Sequence, residues 1–297
     1  MTLFRRFFPL VLASALVTAS FVAPAAANPL DVQLRGLGAY TRNGDQAPRE
    51  RFRLLTAEIG FALSPRTAAP AQGLGMSGFD VSFDVALVSL NIGSEYWQNG
   101  VTEQERRLGT LPGSTQAVTG MHVRKGLPFG LELEAHINWL LNSTMFMIGG
   151  DIRYVFLEGY KYLPNFAVRA GVGRLLNAQE IDLTTVNLDM TVSKTFALGG
   201  MVRLTPMVGY GILFMNANSA VLDATPDNTT DNIALEQPNG SLYTLPESPL
   251  ARNFHHRVYA GIELQTFIFV FLYQFDVGLI TGGRPLFQNT IRLGLRF

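Results

Sequence analysis

Charged side chains and histidines recur at every second position in several segments of this chain, so the chemistry they offer is ion pairing and contact with polar solutes. Glu132, Glu134 and His136 alternate with apolar residues, as do Asp151 and Arg153. Arginine presents a planar group of donors that binds a carboxylate at two points. The full set, in which acids and arginines nearly balance, is Asp84, His122, Arg124, Glu132, Glu134, His136, Asp151, Arg153, Arg169, Asp189, Arg203, Arg257, Glu263, Asp276, Arg292 and Arg296.

The histidines show no spacing that favours catalysis or metal binding. A serine two positions after a histidine would give a nucleophile with its base, but Asn138 follows His136 at that distance. His255 and His256 are adjacent, and adjacent residues of a strand point to opposite faces, so this pair cannot hold one metal ion without a bulge. We therefore predict that the chain is not an enzyme, and we expect no metal or other cofactor.

The elements that carry these polar residues are strands. In the last eleven residues, Phe287, Ile291, Leu293 and Phe297 share one face with other apolar side chains, while Arg292 lies on the opposite face. This alternation with a period of two is typical of a strand with one apolar side and one polar side. The same pattern predicts twelve strands, at about 31–40, 51–63, 79–91, 116–125, 131–141, 146–156, 166–174, 183–193, 201–214, 254–265, 267–279 and 287–297.

The first 27 residues have the pattern of a secretory signal peptide. Arg5 and Arg6 precede a short apolar stretch, and Ala25 to Ala27 form a cleavage site. We expect residues 28–297 to form one domain after cleavage. Its acidic residues outnumber its basic residues by two, because the leader removes two arginines from a neutral chain. No nucleic-acid footprint is therefore present, and the absence of cysteine excludes disulfides.

The composition favours a chain that crosses a membrane with strands. Charged residues make up only 15% of the chain, against about 25% in soluble domains. After the leader, no apolar run approaches the ~18 residues that a transmembrane helix needs. A closed β-barrel can nevertheless span a bilayer, because its backbone groups bond to each other between strands.

The final strand, which ends in Phe297, resembles the closing strand of bacterial outer-membrane β-barrels. In that family this strand is the signal that the barrel-assembly machinery reads. The resemblance implies an all-β, transmembrane, up-and-down antiparallel β-barrel in the outer membrane of a Gram-negative bacterium. Twelve is an even number, as in other single-chain bacterial barrels, and ten or fourteen strands would keep the same arrangement of long and short connections. Outer-membrane lipids and the assembly machinery are the expected partners.

Two segments leave alternatives open. The Pro-, Gly- and Ala-rich connection 64–78 suits a partial plug folded into the lumen, or conceals two further strands. Arg51, Arg53 and Arg174 share the parity of apolar, outward-facing neighbours. They would then either bind lipid phosphates at the membrane surface or extend beyond it into water.

The polar strand faces predict the function. If the apolar faces contact lipid, the polar set above lines a narrow interior, and we expect a channel or passive transporter for small polar solutes. The alternative is a non-conducting structural or surface-binding barrel that uses its long external connections, 92–115 and 215–252. A lipid-modifying enzyme is the third hypothesis.

Overall fold

The computed structural model describes residues 30–38, 47–66, 69–100, 113–160, 162–223, 242–245 and 252–297. The predicted leader, residues 1–27, lies outside this part of the chain. Within it, ten long antiparallel strands close into a barrel: β1 Phe79–Ser89, β2 Thr115–Gly126, β3 Leu131–Leu140, β4 Phe146–Leu157, β5 Asn165–Leu176, β6 Ile181–Ser193, β8 Val202–Ser219, β11 Phe254–Thr266, β12 Phe269–Leu279 and β13 Pro285–Arg296.

Three shorter strands accompany the barrel. β7, Phe196–Leu198, pairs only with β8, so that Phe196 lies opposite Leu204. β9, Leu222–Asp223, and β10, Leu242–Tyr243, form a separate two-stranded sheet. These strands lie beyond the ring of ten.

The barrel closes through two pairings that join distant parts of the sequence. β13 pairs with β1, with Arg296 opposite Asp80, and β8 pairs with β11, with Phe214 opposite Phe254. Backbone hydrogen bonds join Phe79 and Phe297 in both directions, at 2.7 and 2.9 Å. The ring therefore has no free edge, which is the condition for a sheet that spans a bilayer.

The two ends of the barrel differ in the length of their connections. The chain turns within 127–130, 158–164, 194–201 and 267–268 at the end that carries Phe79 and Phe297, here called the turn end. At the opposite end, here called the loop end, the connections are 90–114, 141–145, 177–180, 220–253 and 280–284. The two longest connections are both at the loop end.

The prediction of twelve strands is wrong, because the first two predicted strands have other structures. Residues 51–63 belong to a 17-residue helix, α1, Ala47–Leu63. The described part of 31–40 holds a 3-10 helix, Leu34–Leu37. The other ten predicted strands are confirmed, and ten was one of the alternative numbers.

Helix α1 explains why alternation misled the prediction. Leu55, Ile59 and Leu63 share one face if the segment is read as a strand, but they also recur at the four-residue spacing of a helix. Twelve of its 17 residues are buried. A helix that is buried on most sides shows no single apolar face from which its period can be read.

Two short helices complete the fold. Helix α2, Glu95–Gly100, follows β1 at the loop end, and a 3-10 turn, Pro128–Gly130, joins β2 to β3. Phe129 in that turn has a φ of 63°. No helix in the described ranges has the length and hydropathy that a membrane-crossing helix needs.

The outer face of the barrel is apolar around its circumference. Large side chains such as Phe83, Ile152, Val208 and Leu293 are exposed there. Aromatic side chains lie on this surface near the strand ends, as in the interfacial girdles of membrane barrels: Trp139, Tyr154, Tyr160, Tyr162, Phe196 and Phe267 are examples. Contact of such an apolar surface with lipid hydrocarbon is favourable, whereas its contact with water is unfavourable.

Candidate functional site

The lumen of the barrel is the candidate functional site, and the chain's own N-terminal part occupies it. Helix α1 occupies the half toward the loop end. The residues that follow it, 64–66 and 69–74, here called the strap, continue toward the turn end. Residues of the wall strands β1, β3, β5 and β11 form hydrogen bonds with the end of α1 and with the strap. Helix α1 and the strap, here together called the plug, come directly before the first wall strand in the sequence.

Around α1 the lumen is an apolar core. Phe52, Leu55, Ile59 and Phe61 are at most 2% exposed. The inward side chains near the loop ends of the strands are also apolar: Ala86, Val88, Val118, Leu140, Met147, Leu175, Leu183, Leu213, Met215 and Leu286 belong to the same cluster. Thus the inward face of many strands changes from polar to apolar along their length.

Burial of this core makes an empty lumen unfavourable. Full burial of one large apolar side chain contributes about 2 kcal/mol, and α1 buries five of this kind, the four above and Leu63. Their combined contribution is on the order of 10 kcal/mol, as an upper value. Even half of that, about 5 kcal/mol, disfavours withdrawal of α1 by roughly four thousandfold.

Glu58 joins α1 to the connection that follows β1. Its carboxylate is buried and accepts hydrogen bonds from the backbone N–H and the side-chain amide of Asn91, at 2.9 and 2.6 Å. The Tyr96 hydroxyl donates to it at 2.6 Å and the Trp97 indole at 2.7 Å. Burial raises the pKa of Tyr96, and its bond to Glu58 raises this pKa further, so the hydroxyl remains a donor. Four donors thus compensate one buried charge.

The strap enters a charged region at Arg66, whose side chain is fully buried. Its guanidinium lies 2.6 Å from one oxygen of Asp84 and donates to Asn138 at 3.0 Å. The other oxygen of Asp84 lies 2.9 Å from His122 Nε2, and His122 Nδ1 lies 2.7 Å from Glu134. Arg66 of the plug is therefore the first member of a row of contacts that continues across β1, β2 and β3 of the wall.

Wall arginines also bind the strap through its backbone. Arg257 and Arg169 donate to the Pro65 carbonyl at 3.0 and 3.1 Å, and each holds Asp189 at 2.8 Å. Arg153 donates to the Pro70 carbonyl. A strap of Pro, Ala and Gly has few side-chain groups to offer, so its carbonyl oxygens satisfy these donors instead.

A third cluster fills the lumen at the turn end. Asp80 lies 3.3 Å from Arg124, 3.6 Å from Arg292 and 3.0 Å from Arg296. Arg296 also pairs with Glu263 at 2.8 Å. Glu132 binds Arg124 and Arg153 and accepts from the Leu74 N–H at 2.6 Å.

The remaining members of the predicted lumen-lining set occupy several positions. His136 Nδ1 lies 3.0 Å from Asp151, and Asp276 accepts from Gln274 at 2.8 Å; all four side chains are buried. Arg203 differs, because it is exposed at the turn end of β8. It has inward parity but lies beyond the enclosed part of the lumen. The other members of the set are buried or half-buried.

Inward-facing glycines provide the space that these side chains occupy. A Cβ at Gly120 would meet the carboxylate of Asp84 and the guanidinium of Arg66. A Cβ at Gly278 would meet the ring of Phe61 on α1. The high glycine content of the chain, 29 residues, is thus explained in part by side chains that lie flat over the neighbouring strand.

The cavities agree with a filled interior. A groove of about 460 Å³ lies on the outer wall beside the β1–β13 seam, where Phe83, Phe271 and Leu293 line it. A cavity between α1 and the wall, beside Arg53 and Met215, measures only about 10 Å³. Within the described residues, no group of three or more acidic or histidine side chains is placed to hold a metal ion.

Two of the three arginines expected on the lipid side have other positions. Arg51 and Arg53 lie on α1, where Arg51 pairs with Glu95 at 2.5 Å and Arg53 donates to the Thr281 carbonyl at 2.7 Å. The outward position predicted for these two arginines is wrong, because their segment is a helix in the lumen. Arg174 does point outward at the loop end, where it pairs with Asp182 at 2.7 Å.

The outer wall also carries a histidine. His256 faces outward and its Nδ1 lies 2.6 Å from the Tyr210 hydroxyl, whereas His255 is buried and accepts from the Thr281 N–H at 3.1 Å. The two adjacent histidines therefore point to opposite sides of the wall. They share no ligand position.

A closed ten-stranded antiparallel barrel with an apolar outer band is a membrane-spanning structure, and this chain has the fold of outer-membrane β-barrel proteins. No family model matches its sequence, and no curated protein matches it. Solved structures with some similarity include the N-terminal β-barrel domain of Pseudomonas aeruginosa OprF (10% identity, 75% of this chain and 99% of the other, TM-score 0.29).

Two other solved structures show similarity of the same order. LpxR from Salmonella typhimurium has 10% identity over 73% of this chain and 99% of its own, with a TM-score of 0.35. The translocator domain of the autotransporter NalP from Neisseria meningitidis has 10% identity over 85% and 96%, with a TM-score of 0.31. These values are too low to transfer an activity, and the class rests on the barrel itself.

Sequence reasoning missed the residues that hold the plug. Glu58 and Arg66 were not among the predicted lumen residues, nor were the apolar inward residues near the loop end. A signal for the apolar half exists in runs without alternation, such as Val85 to Val88 and Ile212 to Met215. A strand that is apolar on both faces is enclosed on both.

Proposed function

We propose that this protein is a non-conducting structural or surface-binding barrel of the Gram-negative outer membrane. The observation that carries the proposal is the apolar core between α1 and the wall, since an aqueous pore does not need one. The charged half of the lumen supports it as well, because carboxylates and strap carbonyls bind most of the arginines there. Passage of a solute would require α1 and the strap to leave the lumen that they fill.

The orientation follows the rule for bacterial barrels, in which short turns face the periplasm and longer connections face outward. We propose that the loop end is the outer surface, that residues 1–27 are a cleaved leader, and that Phe297 serves the assembly machinery. The exposed position of Phe297 and its contact with Phe79, at 5.5 Å between ring centroids, support a role at the closing seam. The apolar band would contact outer-membrane lipid.

The channel predicted from the sequence is the second candidate. Its support is the charged wall around the strap, which would offer polar solutes a hydrophilic lining if the strap moved. The apolar half opposes it, because withdrawal of α1 would expose that core to water. A channel therefore requires gating by the plug.

Single-channel conductance in a planar bilayer separates the two candidates. The closed barrel predicts no current steps from protein that is shown to be folded and inserted. Steps in the wild type would contradict the proposal. A Gly60→Cys/Met215→Cys variant then identifies the gate: steps that vanish on oxidation and return on reduction would assign them to movement of α1, whose Gly60 adjoins Met215.

We propose no catalytic role for the lumen histidines. His122 and His136 are buried beside carboxylates inside the barrel, where lipid does not reach them. A lipid-modifying activity lost on His136→Ala, in protein that keeps its fold, would contradict this part of the proposal.

A further inference from the structure

The plug crosses the barrel in one direction. Helix α1 begins at the loop end, where Glu50 pairs with Arg252. The Leu63 carbonyl accepts from Asn138 at 3.0 Å, farther along the lumen. At the turn end, the Gly73 N–H donates to Glu158 at 3.0 Å. The chain therefore enters at the loop end, leaves at the turn end and begins β1 there.

The residues that precede α1 stay at the loop end. Leu30 N–H donates to the Asn142 carbonyl at 3.2 Å, and Asp31 accepts from the Thr144 N–H at 2.9 Å. Both partners lie in the connection between β3 and β4. Gln33 N–H donates to Gly100 of α2 at 3.0 Å. Residues 30–38 thus rest on the opposite side of the barrel from the start of β1.

Apolar contacts hold this segment against the plug. Leu30, Leu34 and Leu37 are fully buried in the same core as α1. The segment is therefore part of the folded unit at the loop end, where it covers the top of the lumen.

From this path we propose that the barrel carries its own N-terminal region to the outer face of the membrane, where residues 30–38 form a surface cap tethered through the lumen. The side named outer rests on the proposed function; the path itself does not. The proposed N-terminal leader would deliver the chain to the periplasm, so the region before α1 would reach the far side only through the barrel. The wall must close around this segment, or the segment must pass before α1 packs.

The consequence is a display function. A polypeptide joined before Ala47 would emerge on the same side as the loops, without any added export element. The strap and α1 span the lumen as the tether, and the core around α1 prevents the region from slipping back. Any binding partner of the cap would meet it from outside.

Epitope insertions test the path in cells that express the full chain. One epitope is inserted after Gly44, a second between Gly282 and Gly283 at the loop end, and a third between Gly199 and Gly200 at the turn end. We expect antibody to label the first two alike in intact cells and the third only after permeabilisation. An epitope after Gly44 that behaves like the one at the turn end would overturn the proposal.

Single cysteines repeat the test with less disturbance, because the chain contains no cysteine. Asn43→Cys is compared with Gly93→Cys at the loop end, where the described residues leave open space, and with Met76→Cys at the turn end, where Met76 is 69% exposed. Labelling by a membrane-impermeant maleimide should place Asn43→Cys with Gly93→Cys. Agreement with Met76→Cys instead would refute the path, whereas conductance tests the closed barrel separately.

Discussion

Arg66→Ala is the substitution that most strongly tests how the strap is held. The Arg66 and Asp84 side chains form an ion pair at 2.6 Å and both are 0% exposed. Removal of one partner of a buried pair leaves an uncompensated charge and costs about 3–5 kcal/mol. His122 remains beside Asp84 in the variant and offsets part of that cost, so we expect about 3 kcal/mol.

Arg174→Ala is the matched control. Arg174 and Asp182 form a pair of nearly the same length, 2.7 Å, but the two side chains are 56% and 50% exposed. Exposed pairs contribute about 0–1 kcal/mol. The two substitutions remove the same group from ion pairs of similar length, one buried and one exposed, so most of the difference between their costs reflects burial of the Arg66 site.

The assay is denaturant unfolding of the folded protein in lipid vesicles, with tryptophan fluorescence as the signal and linear extrapolation to zero denaturant. The double variant Arg66→Ala/Asp84→Ala should lose less free energy than the sum of the two single losses, because neither member of the Arg66–Asp84 pair then stays buried without the other. Equal losses for Arg66→Ala and Arg174→Ala would refute the reasoning that the strap is anchored in the lumen.

Three further predictions concern other contacts. Glu58→Ala should leave the donors of Asn91, Tyr96 and Trp97 without their acceptor, lower stability by at least about 2 kcal/mol and shift Trp97 emission to the red, whereas the exposed Glu95→Ala should do neither. Gly278→Val should displace Phe61 and cost about 1–3 kcal/mol. Gly93→Val is the control, because no neighbouring group of the described residues lies within 4 Å of a Cβ there; equal costs would contradict the close packing of α1. Burial raises the pKa of Glu158 above its usual 4.5, so its stabilising contribution is present below that pH and lost as pH rises through the raised pKa. Glu158→Gln should therefore gain in relative stability as pH rises, measured by unfolding on both sides of 4.5; an unchanged difference would contradict this assignment.

The ten wall strands could be predicted because their outer face is apolar along its full length. In β3, Leu133, Ile137 and Trp139 point outward while Glu132 and His136 point inward. Lipid imposes this alternation on every wall strand, so the pattern repeats around the barrel. The prediction of the closing strand was sound for the same reason.

The plug could not be predicted from the same pattern, because no lipid surface constrains it. Helix α1 contacts wall residues on most sides, so its apolar residues satisfy both a period of two and the helical period. The composition of the 64–78 connection suggested a plug. However, several of its bonds to the wall are made by its own backbone carbonyls, and a backbone carbonyl leaves no signal in the sequence. Pro65 and Pro70 bind arginines through such carbonyls.

The charged set could be located but not interpreted. Inward parity follows from alternation, whereas the occupant of the lumen depends on a segment predicted as wall. If the strap is not considered, Asp84 and Arg169 are inward-facing charged residues of the kind that line a pore. With the strap in place they are its binding partners.

The central claim is that α1 lies inside the barrel, and a disulfide tests it most directly. Gly60→Cys/Met215→Cys places cysteines at adjacent positions of α1 and β8. The control, Gly60→Cys/Leu264→Cys, places the second cysteine on the outer face of β11. The account predicts that mild oxidation of outer membranes links the first pair and not the second, as seen by the mobility of the unfolded chain. Absence of a bond in the first pair, in protein that is folded and inserted, would contradict it.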